Sequence, residues 1–221
     1  MNNSDVHAGA AVYSKPVLRI YDLFVVHFSA ARAWRCDCNS MLSQYDDNIG
    51  RRHLDVGPGT GWYLEHSKPP VDAQITLMDL NPNSLTRASS RLGDIPHRTI
   101  IGNVLEPLPE SAGMFDSIAT NYLFHCVPGG WDAKGAAFAH LSRHLAPDGV
   151  LFGSTILGQG VQHNRVGSAL MKLYNRRGVF HNDNDDAVGL QRALEQHFAD
   201  VMVTVIGTVA LFQARQPQVN P

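Results

Sequence analysis

From residue 50 onward, short apolar runs alternate with stretches whose apolar positions recur at helical spacing. RHLDV (52–56) reads as a strand and GWYLEHS (61–67) as a helix. ITLMDL (75–80) is the next strand and NSLTRASSRLG (83–93) the next helix. RTIIGN (98–103) is a third strand, followed by a Pro-rich loop, EPLPESAG. FDSIATNYL (115–123) is a strand running into a loop, and AAFAHLSRHL (136–145) a helix that stops before Pro147-Asp148-Gly149. GVLFGSTIL (149–157) is a fifth strand. A helix is predicted near 165–176 and another over 186–198, with Asp183 or Asp185 as its N-cap. VMVTVI and TVALFQA, split at Gly207, predict a closing hairpin.

Ahead of residue 50 the pattern differs. Residues 1–14 are polar and read as frayed. From Lys15 to about Arg35 the polar positions Lys15, Arg19, Asp22 and Ser29 fall at helical spacing, with Tyr21, Phe24, Val25 and Phe28 on the other face. That predicts one or two amphipathic helices, and residues 39–49 read as another short one. Repeated strand–helix units imply a parallel sheet covered on both faces, to which the hairpin adds an antiparallel edge. No internal repeat or linker divides the chain, so one domain is expected over 1–221.

Composition narrows this α/β reading. At 221 residues and 44% apolar content the chain can bury one full core. A formal charge of −2 gives no electrostatic footprint for nucleic acid or acidic membranes. The N-terminus lacks a basic stretch leading into an apolar one, so no signal peptide is expected. The longest apolar stretch, from Val17, is interrupted by Arg19, Asp22 and His27 and is too short to span a bilayer. Cys36, Cys38 and Cys126 suit a reduced cytoplasmic protein, and the spacing of the first two does not match a zinc site, so no metal is expected.

The first turn carries the candidate chemistry. In HLDVGPGTGWYLEH, Gly57, Gly59 and Gly61 stand at alternate positions directly behind a strand. Glycine lets a backbone turn tightly and lets a ligand touch it, and the helix that follows favours negative charge at its start. A dinucleotide loop would read G-x-G-x-x-G and a phosphate loop would need G-K-[ST]; neither is present. Asp55 ends the first strand and Asp79 the second, where a carboxylate can accept both hydroxyls of a ribose. Asn103, behind the third strand, is placed to contact an adenine edge. Each also has a plain structural reading: Asp55 as a brace for the loop, Asp79 as a helix cap, Asn103 as a turn residue and Leu80 as core.

Taken together, DVGPGTG, LMDLNP, GNVLEPLP, FDSIATNYLFH and LAPDGVL resemble, in order and spacing over roughly residues 50–215, the class I S-adenosylmethionine-dependent methyltransferases of the small-molecule type. The resemblance implies a Rossmann-like, doubly wound, seven-stranded and mostly parallel sheet with a C-terminal antiparallel hairpin. It implies an N-terminal helical lid over 1–49 and a cofactor-binding core over 50–215. S-adenosylmethionine is then expected along Gly57, Pro58, Gly59, Thr60 and Gly61, with Asp55 at the strand end. Asp79 holds the ribose, Leu80 packs on the adenine, and Asn103 and Val104 line its edge. Asn121 sits beside the sulfonium, and Tyr21 contributes from the lid. Many members carry Asp where this chain has Asn103.

His125, following the fourth strand, is the candidate general base. Phe24, Trp34, Tyr122, His163 and His181 are the candidate acceptor contacts. With eleven histidines in the chain, each also reads as an ordinary loop or core residue. Asp183, Asn184, Asp185 and Asp186 read as a helix cap and solvated turn rather than a metal run. The expected activity is methyl transfer to a small molecule by a monomer or homodimer, with no nucleic-acid or membrane partner. The alternatives are a protein of this fold that binds the cofactor without transfer or with another reaction such as cyclisation, and a nucleic-acid methyltransferase. The last is disfavoured because NYLF lacks the N-P-P-Y pattern and the charge is wrong.

Overall fold

In the computed structural model, residues 30–218 are described. Seven strands, β1 (Arg52–Val56), β2 (Gln74–Asp79), β3 (His97–Ile101), β4 (Phe115–Asn121), β5 (Leu145–Ile156), β6 (Phe198–Ile206) and β7 (Val209–Pro217), build one sheet. Its order is β3-β2-β1-β4-β5-β7-β6. The five strands from β3 to β5 run parallel, and β7 enters antiparallel between β5 and β6. The hairpin is therefore folded back so that its second strand, VALFQA, lies inside. That strand is nearly all buried along VALFQA, whereas β6, no less apolar, leaves many of its positions exposed along an edge.

After a three-residue helical turn, Ala30–Arg32, the helices are α1 (Cys38–Asn48), α2 (Trp62–His66), α3 (Pro82–Leu92), α4 (Trp131–Ser142), α5 (Arg165–Arg176) and α6 (Ala187–Glu195). One face of the sheet carries a core of Leu54, Ile118, Phe124, Phe138, Leu190 and Phe212 beneath α4 and α6. The other holds Tyr45, Leu64, Leu77, Leu85 and Phe152 beneath α1, α2 and α3. The doubly wound arrangement read from the sequence is the one found.

Two expectations change. Residues 38–48, expected in a lid, are a layer of the sheet. The face formed by Met41, Gln44, Tyr45 and Asn48 recurs at helical spacing and is buried. Tyr45 sets its ring edge-on to Phe152 at 5.2 Å, and the Gln44 amide donates to the Phe212 carbonyl at 3.2 Å. The remaining lid positions, Tyr21 and Phe24 among them, lie outside the described residues. The N-cap of α6 is Asp186 rather than Asp183 or Asp185. Its carboxylate accepts the Gly189 N–H at 2.6 Å, while Asp185 is drawn inward to a buried lysine.

Candidate functional site

The carboxyl ends of β1, β2, β3 and β4 lie side by side along one end of the sheet, the usual ligand position in such folds. The loop after β1 is tied down by a Gly57 N–H bond to the Met78 carbonyl (2.8 Å) and a Gly61 N–H bond to the Pro58 carbonyl (2.8 Å). Gly57, Gly59 and Gly61 all hold left-handed backbone, with φ of +70°, +55° and +77°. Side chains are excluded for different reasons at each. A Cβ on Gly57 would fall 2.8 Å from Leu123 Cδ1, and one on Gly61 2.8 Å from Ala88 Cα in α3. At Gly59 a Cβ would meet nothing within 4 Å. Two of the three glycines therefore serve packing, and the third opens onto space. Pro58 is half-buried beside it. Thr60 is buried, its hydroxyl accepting from Arg91 at 3.4 Å.

Two carboxylates follow. Asp55 is buried and accepts a 2.8 Å bond from the Tyr45 hydroxyl. Burial pushes its pKa up to about 7; the Tyr45 bond opposes the rise and the charge of Asp79 adds to it. Asp79, half-buried at the end of β2, is raised to about 6, again by burial first. It also accepts the Asn81 N–H at 2.8 Å, and Asn81 in turn caps α3. Leu80 is partly exposed next to it. Asn103 Oδ1 accepts the Leu105 N–H at 3.0 Å, so the turn role is realised, and Val104 is buried behind it.

Asn121 ends β4. It is buried, and neither atom of its amide meets a hydrogen-bond partner, although the amide lies near enough to Tyr45 to offset a little of that hydroxyl's raised pKa. A buried, unsatisfied amide costs about 1–3 kcal/mol, so a group from outside the chain fits here. The open backbone at Gly59, the Asp79 carboxylate and this amide suit a nucleoside-bearing ligand with hydroxyls to bind. Tyr122, the next residue, holds φ +52°, uncommon for a residue with a side chain and concentrated at functional sites.

His125 lies on a short 3-10 turn, Phe124–Cys126, and is buried. Its ring stands edge-on to Phe180 at 4.5 Å and to Tyr122 at 5.9 Å. Burial, with a smaller push from the Lys134 charge, lowers its pKa to about 3. Trp34 packs among Met41, Ile156, Met171 and Phe180 and meets His163 edge-on at 6.0 Å. His163 donates from Nε2 to the Leu157 carbonyl (2.8 Å), and His181 from Nε2 to the Gly178 carbonyl (3.1 Å). The structure thus gathers Tyr122, His125, Phe180, Trp34 and His163 into a continuous aromatic wall, with His181 joined to it through its backbone.

Tyr45, Lys134 and Phe180 are partners that the sequence reading missed. Neither Tyr45 nor Phe180 carries a local signal: Tyr45 reaches Asp55 only once α1 folds back onto β1, and Phe180 meets His125 from a distant part of the chain. Lys134 has one: a lone cation in the small, apolar run of α4. Among the described residues, no cluster of three or more His, Cys, Asp or Glu could hold a metal, and no helix is long and apolar enough to cross a membrane.

Residues 54–153 match the family described as "Methyltransferase domain". The chain is 41% identical over 207 residues to demethylluteothin O-methyltransferase of Streptomyces thioluteus, covering 93% of this chain and 90% of that protein. It is 39% identical over 212 residues to the physcion biosynthesis cluster O-methyltransferase of Aspergillus chevalieri, covering 95% and 96%. The solved DhpI–SAH complex superposes with a TM-score of 0.71 at 15% identity, covering all of both chains, a likeness of fold alone.

Proposed function

This chain belongs to the class I S-adenosylmethionine-dependent methyltransferases, and we propose that it methylates an oxygen of a small, planar, conjugated metabolite. The family places the reaction, methylation of small-molecule acceptors. Oxygen as the acceptor atom is supported by the two O-methyltransferase relatives, and a planar acceptor by the aromatic wall around His125, Phe180 and Trp34. The observation that carries the reading is the open, left-handed backbone at Gly59, with the Asp79 carboxylate and the unsatisfied Asn121 amide on the neighbouring strand ends. Cys36, Cys38 and Cys126 form no disulfide, which suits the reducing cytoplasm, where we assign the protein.

In this reading Gly57, Pro58, Gly59, Thr60 and Gly61 receive the methionine part. Asp79 accepts from both ribose hydroxyls, and Leu80, Asn103 and Val104 hold the adenine. Bound there, S-adenosylmethionine supplies an electrophilic methyl group on a positively charged sulfur. Asp55, once ionised, balances part of that charge, and Asn121 hydrogen-bonds beside it. The aromatic wall excludes water and aligns the acceptor oxygen for in-line attack.

His125 offers a neutral ring at every physiological pH, and its low pKa makes it a weak base. The inflection in turnover that an ordinary histidine would impose near pH 6.5 is therefore not expected from this residue. His125→Ala should lower turnover by about a hundredfold with cofactor affinity retained, and rates of the parent protein should show no histidine step between pH 5 and 8. A step near pH 6.5 that disappears in the variant would restore an ordinary titrating base.

The reading itself is tested by incubating the protein with methyl-labelled S-adenosylmethionine and a panel of phenols, hydroxyquinones and enolic lactones, with mass spectrometry of the products. A labelled O-methyl product is expected. Folded protein that binds neither S-adenosylmethionine nor S-adenosylhomocysteine in calorimetry would overturn it, and an N-methyl product would overturn the choice of oxygen.

A further inference from the structure

Lys134 is fully buried on α4, four residues into a helix that is itself packed on the sheet. Its ammonium bonds the Asp185 carboxylate, donates to the His181 carbonyl at 3.0 Å, and lies 5.4 Å from the Trp131 ring centre. Asp185 is just as buried, and its backbone carbonyl accepts the N–H groups of Gly158 (2.9 Å) and Gln159 (3.0 Å) at the exit of β5. That exit is pressed hard against the same segment: a Cβ on Gly158 would lie 1.9 Å from the Asn182 carbonyl oxygen. The neighbouring His181 N–H donates to the His125 carbonyl at 2.7 Å, and Phe180 carries the ring packed on His125. The cation thus joins α4 to the segment 178–186, and the His181 N–H of that segment in turn holds the turn after β4.

A buried ion pair is a poor source of stability, because a matched apolar pair is often as stable or more so. Here the pair is also incompletely satisfied, since Asp185 Oδ1 meets no hydrogen-bond partner. What Lys134 supplies and an apolar side chain would not is direction. Two of its three donors are spent on fixed acceptors of the 178–186 segment, and the helix that carries it is anchored to the sheet. We propose that the Lys134–Asp185 pair is a positioning device that holds Phe180 and His181 against His125, setting the acceptor wall while taking no part in cofactor binding. The proposal rests on the reading of that wall as the acceptor side.

The test compares the full-length parent with K134M/D185L, which keeps the branching and approximate length of both side chains and removes the bonds, and with D185N, which leaves Lys134 both of its acceptors. Hydrogen exchange at the His181 amide needs no acceptor and separates this proposal from the assignment of substrate. It should be faster by about tenfold or more in K134M/D185L and close to the parent in D185N. K134M/D185L should melt at or above the parent and bind S-adenosylhomocysteine within about twofold of it. Its methyl transfer to the phenol, hydroxyquinone and enolic lactone panel should fall by about ten- to a hundredfold. K134M alone, in which Asp185 can take up a proton, serves the same readouts if the double variant does not fold. Parent-like protection of His181 in the variants lacking Lys134 would overturn the proposal. So would a matching loss of S-adenosylhomocysteine affinity and turnover, which would make the pair a general structural support.

Discussion

Asp79→Ala should weaken S-adenosylhomocysteine binding about ten- to a hundredfold, the equivalent of losing charge-assisted bonds that contribute about 1.5–3 kcal/mol. The fold should change little. The carboxyl is already raised to about 6 by burial, so ionising it is unfavourable to the free protein, and its one structural bond goes to the Asn81 N–H. Calorimetry against S-adenosylhomocysteine, paired with a melting curve, checks both halves. Unchanged affinity with a lowered melting temperature would make Asp79 a cap for α3 and nothing more.

The same carboxyls set a pH dependence with two opposite signs. Asp55 and Asp79 are both raised in the folded protein, to about 7 and about 6, above the ordinary carboxylate value. Between about pH 4 and 7 the folded chain therefore holds protons that the unfolded chain has lost. Their contribution to stability is greatest at the acid end and is lost as pH rises through the folded pKa values. A cationic cofactor that needs both carboxylates ionised reverses the sign. Its binding should release protons and tighten as pH rises from 5 to 8. Titrations near pH 6.5 in buffers of different ionisation heat should show that release; a heat independent of buffer would remove Asp55 and Asp79 from the binding equilibrium.

Gly61→Ala and Gly59→Ala make the second large contrast, because the same added methyl should do different damage. At Gly61, left-handed backbone costs a residue with a side chain about 1–2 kcal/mol, and the Cβ must push the α3 backbone aside for about 1–3 kcal/mol more. A loss of roughly 2–5 kcal/mol lowers the melting temperature by about 4–20 °C in a chain of this size. At Gly59 only the backbone term applies, since the Cβ meets nothing within 4 Å. That variant should fold, and its methyl should project into the space we assign to the cofactor, so S-adenosylhomocysteine affinity falls while the melting temperature drops by only a few degrees. If Gly59→Ala binds as tightly as the parent, the ligand does not pass there. If Gly61→Ala melts unchanged, the contact with Ala88 yields more easily than its geometry implies.

Strand and helix periods of two and 3.6 residues are local properties, so the sequence by itself determined β1 to β5, the helix over 165–176 and the closing hairpin. It also placed Gly57 to Gly61, Asp79, Asn103 and Asn121 at the carboxyl ends of neighbouring strands, because that placement follows from parallel α/β topology. Only the tertiary structure decided what depends on which side chains are brought together by the fold. The packing of Leu123 and Ala88 separated the glycines that serve the fold from the one that faces open space. The Tyr45 hydroxyl found Asp55, which turned a predicted lid segment into a layer of the sheet. Lys134 claimed Asp185 and left the capping of α6 to Asp186. Burial beneath Phe180 took His125 out of the physiological titration range. Burial, hydrogen bonding and charge set these outcomes, and all three arise from side chains that meet only when the chain is folded.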